Sequence, residues 1–280
     1  MDSEPGVLFI GKSCHGEFAG ALDWLRARGD VVLQPTVETA LAWLQDSRCQ
    51  PATIVLGLTR RGEHAARGLQ QLQRTVPLAN MIALVGSWCE GETRSGKPAN
   101  GWSRVYWHQF PRRAAGEFFL EEQQDGSTGL RDRVYVPKTM SDNERCLLLS
   151  KRPLPRGCGR IGINTLREVD YDALANACAS AGYKTFWWQG ATPEMIGEAD
   201  CVVWDRRGLQ DRELRELLCW RERWGDLPVV ATIGFPRTQD YQLVAEGVVE
   251  SIVGKPFLLT ELLAALQESR EGPSPVSRAA

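Results

Sequence analysis

Short apolar runs alternate with amphipathic stretches through most of the chain. The first half opens with Val7-Leu-Phe-Ile10, continues with Phe18, Leu22 and Leu25 at helical spacing, and returns to an apolar run at Val31-Val-Leu33. A shift from a continuous run to a 3.6-residue period and back is the pattern of a βαβ unit. Thr36 stands where a helix N-cap belongs, ahead of Val37, Leu41 and Leu44. Ala52-Thr-Ile-Val-Leu56 predicts the next strand, Leu69 and Leu72 a further helix, and Met81-Ile-Ala-Leu-Val85 and Arg104-Val-Tyr-Trp107 two more strands. Five near-continuous apolar runs separated by helices predict a parallel sheet covered on both faces.

From Glu121 to Arg145 the composition turns polar, and the rhythm then resumes. Cys146-Leu-Leu-Leu149 predicts a first strand, followed by a helix through Leu166, Leu174 and Cys178 and a strand at Thr185-Phe-Trp-Trp188. Cys201-Val-Val-Trp204, a helix through Leu214, Leu217 and Leu218, and Pro228-Val-Val-Ala-Thr-Ile233 come next. A helix near Tyr241–Val249, a strand at Ser251-Ile-Val253 and a closing helix with Leu259, Leu262, Leu263 and Leu266 on one stripe complete the series. The halves register on each other: 148 residues separate Gly57 from Asp205 and Gly86 from Gly234, and 147 separate Phe110 from Phe257. The expected organisation is therefore a tandem repeat. It places one α/β domain at 5–120, a linker at 121–145, a second domain at 146–270 and a disordered tail at 271–280, each domain a doubly wound parallel five-stranded sheet.

Composition narrows the function classes. At 280 residues and 43% apolar content the chain can bury two cores. A net charge of −2 supplies no general attraction to nucleic acid, and no apolar run approaches the ~18 residues that cross a bilayer. The acidic N-terminus lacks the basic and apolar regions of a signal peptide, so a cytoplasmic protein is expected. The eight cysteines form no CxxC pair and mostly lie in apolar runs, which reads as buried, reduced thiols.

In such sheets reactive groups gather beyond the carboxyl ends of the strands. In the second half those positions hold Ser150 and Lys151, then Asp205, then Ile233 and Gly234, then Lys255 and Pro256. Val202-Val-Trp-Asp205, Leu227-Pro-Val-Val-Ala-Thr-Ile-Gly234 and Val253-Gly-Lys-Pro-Phe-Leu-Leu-Thr-Glu-Leu-Leu263 resemble receiver domains of two-component response regulators. The resemblance is clear for 146–268 and weaker for 5–120, and it implies a flavodoxin-like fold. It also implies an Asp that accepts a phosphoryl group, an acidic pair that holds Mg²⁺, a hydroxyl that senses phosphate and a Lys that pairs with it. Carried over, Asp205 takes the phosphoacceptor position and Lys255 the lysine. The hydroxyl position falls on Ile233 or, with a slip of one residue, on Thr232. Ser150 and Lys151 stand in place of the acidic pair, so no Mg²⁺ and no other cofactor is expected. Arg206 and Arg207, which follow Asp205, either replace a cation by holding phosphate or pair with the carboxylate.

The first half departs further, with Gly57 at the acceptor position, His108 at the lysine and Gly11-Lys12-Ser13 at the acidic pair. It carries instead a Gly-rich, charged loop in place of a fourth helix, Gly86 to Pro98, with Trp88, Cys89, Glu90, Glu92 and Arg94, followed by Trp107 and His108. Loops at strand ends are where ligands and partners are met. A packed cluster of Trp88, Trp102 and Trp107, a surface for a protein partner, zinc held by some of Cys14, His15, Cys89, Glu90, Glu92 and His108, and a Cys89–His108 nucleophilic pair all remain open. The leading expectation is a non-enzymatic signalling or scaffold protein that works through protein–protein contact. The alternatives are a working phosphoacceptor at Asp205 in a phosphorelay, and an enzyme or metal site around Cys89 and His108.

Overall fold

The computed structural model describes residues 6–89, 91, 101–117, 154–225 and 227–271. The expected linker, the run Cys146–Leu149, Ser150, Lys151 and the tail beyond Glu271 lie outside the described residues. The chain divides into two compact units, Met1–Lys151 and Arg152–Ala280.

In the first unit the apolar runs become strands β1 (Val7–Ile10), β2 (Val31–Gln34), β3 (Thr53–Arg60), β4 (Asn80–Trp88) and β5 (Ser103–Tyr106). They alternate with helices α1 (Ala19–Arg26), α2 (Val37–Ser47) and α3 (Ala66–Thr75), and α4 (Phe110–Glu117) follows β5. All strand pairs are parallel and the order is β2-β1-β3-β4-β5. Thr36 caps α2, its hydroxyl accepting from the Thr39 amide while Thr39 reciprocates. Successive strand side chains point to opposite faces. Leu8, Ile10, Ile54 and Leu56 thus join Val37, Ala40, Leu69 and Leu72 in one core cluster, and the alternate residues Phe9, Val55, Ile82 and Leu84 are as fully buried.

The second unit contains β6 (Arg160–Asn164), α5 (Glu168–Ser180), β7 (Lys184–Trp187), α6 (Pro193–Gly197), β8 (Cys201–Asp205), α7 (Asp211–Trp224), β9 (Val229–Gly234), α8 (Gln242–Ala245), β10 (Ser251–Lys255) and α9 (Leu259–Glu271). Its order, β7-β6-β8-β9-β10, is again parallel throughout and equals that of the first sheet. Both sheets are therefore doubly wound and flavodoxin-like. Ile161, Ile163, Val203 and Val230 pack with Leu262, Leu263 and Leu266 of α9 on one face. On the other, Val202, Trp204 and Ile233 pack with Leu217 and Trp220 of α7. The helix expected near Tyr241–Val249 is a single turn, closed by Gly247 at φ 71° with its amide on the Val244 carbonyl.

Among the described residues the first strand of this sheet is Arg160–Asn164, while Cys146–Leu149, where the sequence predicts it, lies outside them. Its apolar signal is weak because only Ile161 and Ile163 flank a central glycine. That glycine is demanded by packing: a Cβ at Gly162 would lie 2.8 Å from Trp188 and 3.0 Å from Phe186. The residues at the end of the strand beside β8 are consequently Asn164 and Thr165, which corrects the assignment of that place to Ser150 and Lys151.

Gly57 is equally constrained, its absent Cβ being 2.8 Å from the Phe18 ring, whereas Gly20 in α1 has nothing within 4 Å. Gly162→Ala and Gly57→Ala should each cost about 1–3 kcal/mol of stability through overpacking. Gly20→Ala should be neutral or stabilising by up to ~1 kcal/mol through helix propensity. Urea unfolding of the three variants beside the parent chain checks this ordering.

Candidate functional site at the carboxyl ends of the second sheet

Parallel pairing sets the ends of β6, β8, β9 and β10 side by side. Asn164 pairs in register with Trp204, Asp205 with Thr232, and Lys255 with Gly234. Asp205, 8% exposed, is the last residue of β8. The Thr232 hydroxyl donates to Asp205 Oδ1 at 2.5 Å, and Lys255 Nζ forms an ion pair with the same oxygen while donating to the Arg206 carbonyl at 3.3 Å. Thr232 is fully buried and faces the carboxylate, whereas Ile233 belongs to the opposite apolar face. The register thus selects between the two residues that the sequence left open.

Arg206 does neither of the things expected of it. Its guanidinium is buried at 7% exposure and turns back across the strand ends. Nη1 donates to the Asn164 carbonyl and to the Asp205 carbonyl, both at 2.8 Å, and Nη2 donates to Asn164 Oδ1 at 3.0 Å. Nε lies 3.6 Å from Glu216 Oε2 of α7, and the guanidinium carbon sits 4.3 Å over the Trp204 ring. Burial lowers the pKa of Arg206 from its ordinary value. Arg207, by contrast, is exposed. At the rim, Arg167 grips Asp170 with two hydrogen bonds of 2.8 and 2.7 Å. The Arg167 bond holds the Asp170 carboxyl below its usual range, and the Asp170 bond raises Arg167.

Lys255 pairs with Asp205 and Arg167 with Asp170, while Glu216 is shared by Arg206 and Arg212. The receiver resemblance would place Mg²⁺ beside Asp205. Asn164 and Thr165 supply no charge where an acidic pair would stand, and the carbonyls of Asn164 and Asp205 already receive a guanidinium.

In the first unit the position in register with Asp205 is Gly57, and the buried Phe18 ring occupies the space beside it. Glu17 reaches the end of β4, where its carboxylate accepts from the Ser87 amide at 3.0 Å, with His15 Nδ1 3.9 Å away. Several expectations for the following loop need correction. Trp88 is 81% exposed, but Trp102 lies in the core cluster and Trp107 is buried at 8%, donating to Ser87 Oγ at 3.3 Å. The three tryptophans do not form one cluster, because β4 turns Trp88 outward while the others follow apolar paths inward. Cys89 is fully buried with its thiol on the Leu58 carbonyl at 3.5 Å, and His108 is stacked on Tyr106 with neither ring nitrogen hydrogen-bonded among the described residues. The structure does not join them as a nucleophilic pair, and among the described residues no three His, Cys, Asp or Glu side chains gather as a metal site. Glu90, Glu92 and Arg94 lie outside the described residues. Of the seven described cysteines, all free, Cys89, Cys178 and Cys201 are buried, while Cys14, Cys158 and Cys219 are exposed, so apolar flanks overstated thiol burial.

Desolvation pushes the His108 pKa from 6.5 down to about 4. Its folded pKa is depressed, so the unfolded chain binds the extra proton between those values. The associated stability is complete above about pH 6.5, falls as the pH drops toward 4 and levels off below, for a total of about 3 kcal/mol. Urea unfolding of His108→Phe and the parent at pH 7 and pH 4.5 should show a smaller acid-induced loss in the variant, by roughly 1–3 kcal/mol.

No family model matches the chain, and no curated protein does. Among solved structures it is similar to full-length FixJ from B. japonicum, at 23% identity and TM-score 0.30 over 40% of this chain and 59% of that one. The chain thus spans under two thirds of that protein's length. It is also similar to a two-component system response regulator/GGDEF domain protein, at 10% identity and TM-score 0.35 over 95% and 98% of the two chains. A third likeness is to the E. coli RcsC C-terminus containing a linker region and phosphoreceiver domain, at 14% identity and TM-score 0.30 over 98% and 95%. All three overlays are loose, and what this chain has in common with receivers rests on its own strand order and strand-end residues.

Proposed function

We propose that the chain is a signalling or scaffold protein whose two receiver-like units act by contact with other proteins, without a phosphoryl switch. One observation carries this reading: the Asp205 carboxylate is already engaged, through the same oxygen, by Thr232 and Lys255. Those are the groups that the receiver resemblance would reserve for a bound phosphoryl. A phosphoryl group on Asp205 would add negative charge beside a lysine already paired with that carboxylate, and no divalent ion would offset it. In the first unit Gly57 under Phe18 provides no acceptor at all. An exposed Trp88 gives that unit one large apolar side chain suited to a partner.

A second reading keeps Asp205 as a phosphoacceptor, and what favours it is the convergence of Asp205, Thr232 and Lys255 on one point. Incubation of the full chain with acetyl phosphate and Mg²⁺, followed by intact-mass measurement, separates the two. The expected result is an unchanged mass. Gain of one phosphoryl group, absent in Asp205→Ala, would establish the second reading instead.

A further inference from the structure

Arg206 has no assigned role in either reading. Its guanidinium lies between the end of β6 and the end of β8, bonded to two main-chain carbonyls and the Asn164 carboxamide. Carbonyl and carboxamide oxygens converging on one point are donors for a hard cation. A side chain with an invariant positive charge has taken that point from within. Trp204 supports it from below and Glu216 holds it from α7, so four elements of the unit (β6, β8, α7 and, through the Lys255 bond to the Arg206 carbonyl, β10) meet at one residue.

We propose that Arg206 is the resident cation of the second unit, a covalently fixed guanidinium that holds the strand ends together in place of a divalent ion and makes the centre indifferent to metal. The inference rests on the reading of this unit as a centre set without phosphoryl transfer, and it deepens that reading by naming what sets it. It also assigns Asn164 a role as the carbonyl and carboxamide ligand of that guanidinium. Arg206 is a positioning residue, acting on Asp205 through the backbone carbonyl and not through its carboxylate.

The test uses the full chain. Thermal unfolding of the parent should give the same midpoint in EDTA and in millimolar Mg²⁺, and the electron paramagnetic resonance signal of free Mn²⁺ should be unaffected by its second-unit centre. Arg206→Met should lower the midpoint in both buffers. In Asn164→Asp combined with Arg206→Met, Mn²⁺ should bind and the midpoint should rise on adding Mg²⁺. Stabilisation of the parent by Mg²⁺, saturable Mn²⁺ binding that Asp205→Ala abolishes, or an Arg206→Met variant as stable as the parent would each overturn the proposal. The parent measurements decide the matter even where a variant fails to fold. Acetyl phosphate in EDTA distinguishes the two levels of argument. Phosphorylation of Asp205 without metal would sink the reading of a lost switch and leave Arg206 as its cation, whereas phosphorylation that requires Mg²⁺ would sink both.

Discussion

A carboxylate held at 8% exposure governs the second unit. An ionised group taken out of water is tolerated only where hydrogen bonds and opposite charge replace its hydration. Asp205 has neither within its own strand, so the replacement must come from its neighbours in the sheet. Parallel pairing supplies it: Thr232 is its register partner on β9, and β10, one strand further, ends in Lys255. The strand order that sets β10 beside β9 and β9 beside β8 is thus also what makes a buried Asp205 possible.

The first unit has the same strand order without that constraint. Gly57 removes the carboxylate and the aromatic ring of Phe18 fills the space, so packing replaces charge matching at the equivalent position. The acidic groups of that region are bonded by backbone amides, Glu17 by that of Ser87 and Glu63 by that of Thr59. One architecture therefore accommodates a polar and an apolar solution at the same strand end, and the difference resides in one residue and the side chain facing it.

Most of this was legible in the sequence, for physical reasons that also mark its limit. Buried parallel strands are apolar on both faces, so runs such as Val7–Ile10 and Cys201–Trp204 stand out, and Asp205 and Lys255 stand out because each interrupts the end of such a run. Strand β6 escapes because Gly162, required by the rings of Trp188 and Phe186, leaves it only two strongly apolar residues, and that error carried the wrong pair, Ser150 and Lys151, into the site. The position of Arg206 was hidden for a different reason. Beside Asp205 the sequence treats Arg206 and Arg207 alike, as partners for phosphate or for the carboxylate, and only the Trp204 ring and the Asn164 carbonyl across the sheet draw Arg206 inward. Trp107 and His108 failed likewise: their buried surroundings come from residues distant in the chain.

A fixed guanidinium differs from a bound metal in what it allows the centre to do. A divalent ion brings two charges and open coordination positions, so it can both neutralise an acceptor and bind an incoming oxyanion, and its occupancy follows its concentration. Arg206 brings one charge, its Nη1 and Nη2 atoms donate to Asn164 and the Asp205 carbonyl, and its occupancy is unity in the folded chain. Glu216 beside it is shared with Arg212. On the proposed reading the guanidinium keeps the tie between strand ends that a metal would give but offers no open position to an incoming oxyanion. If Arg206 acts as proposed, metal independence of the centre and weak acceptor character at Asp205 would follow from one residue.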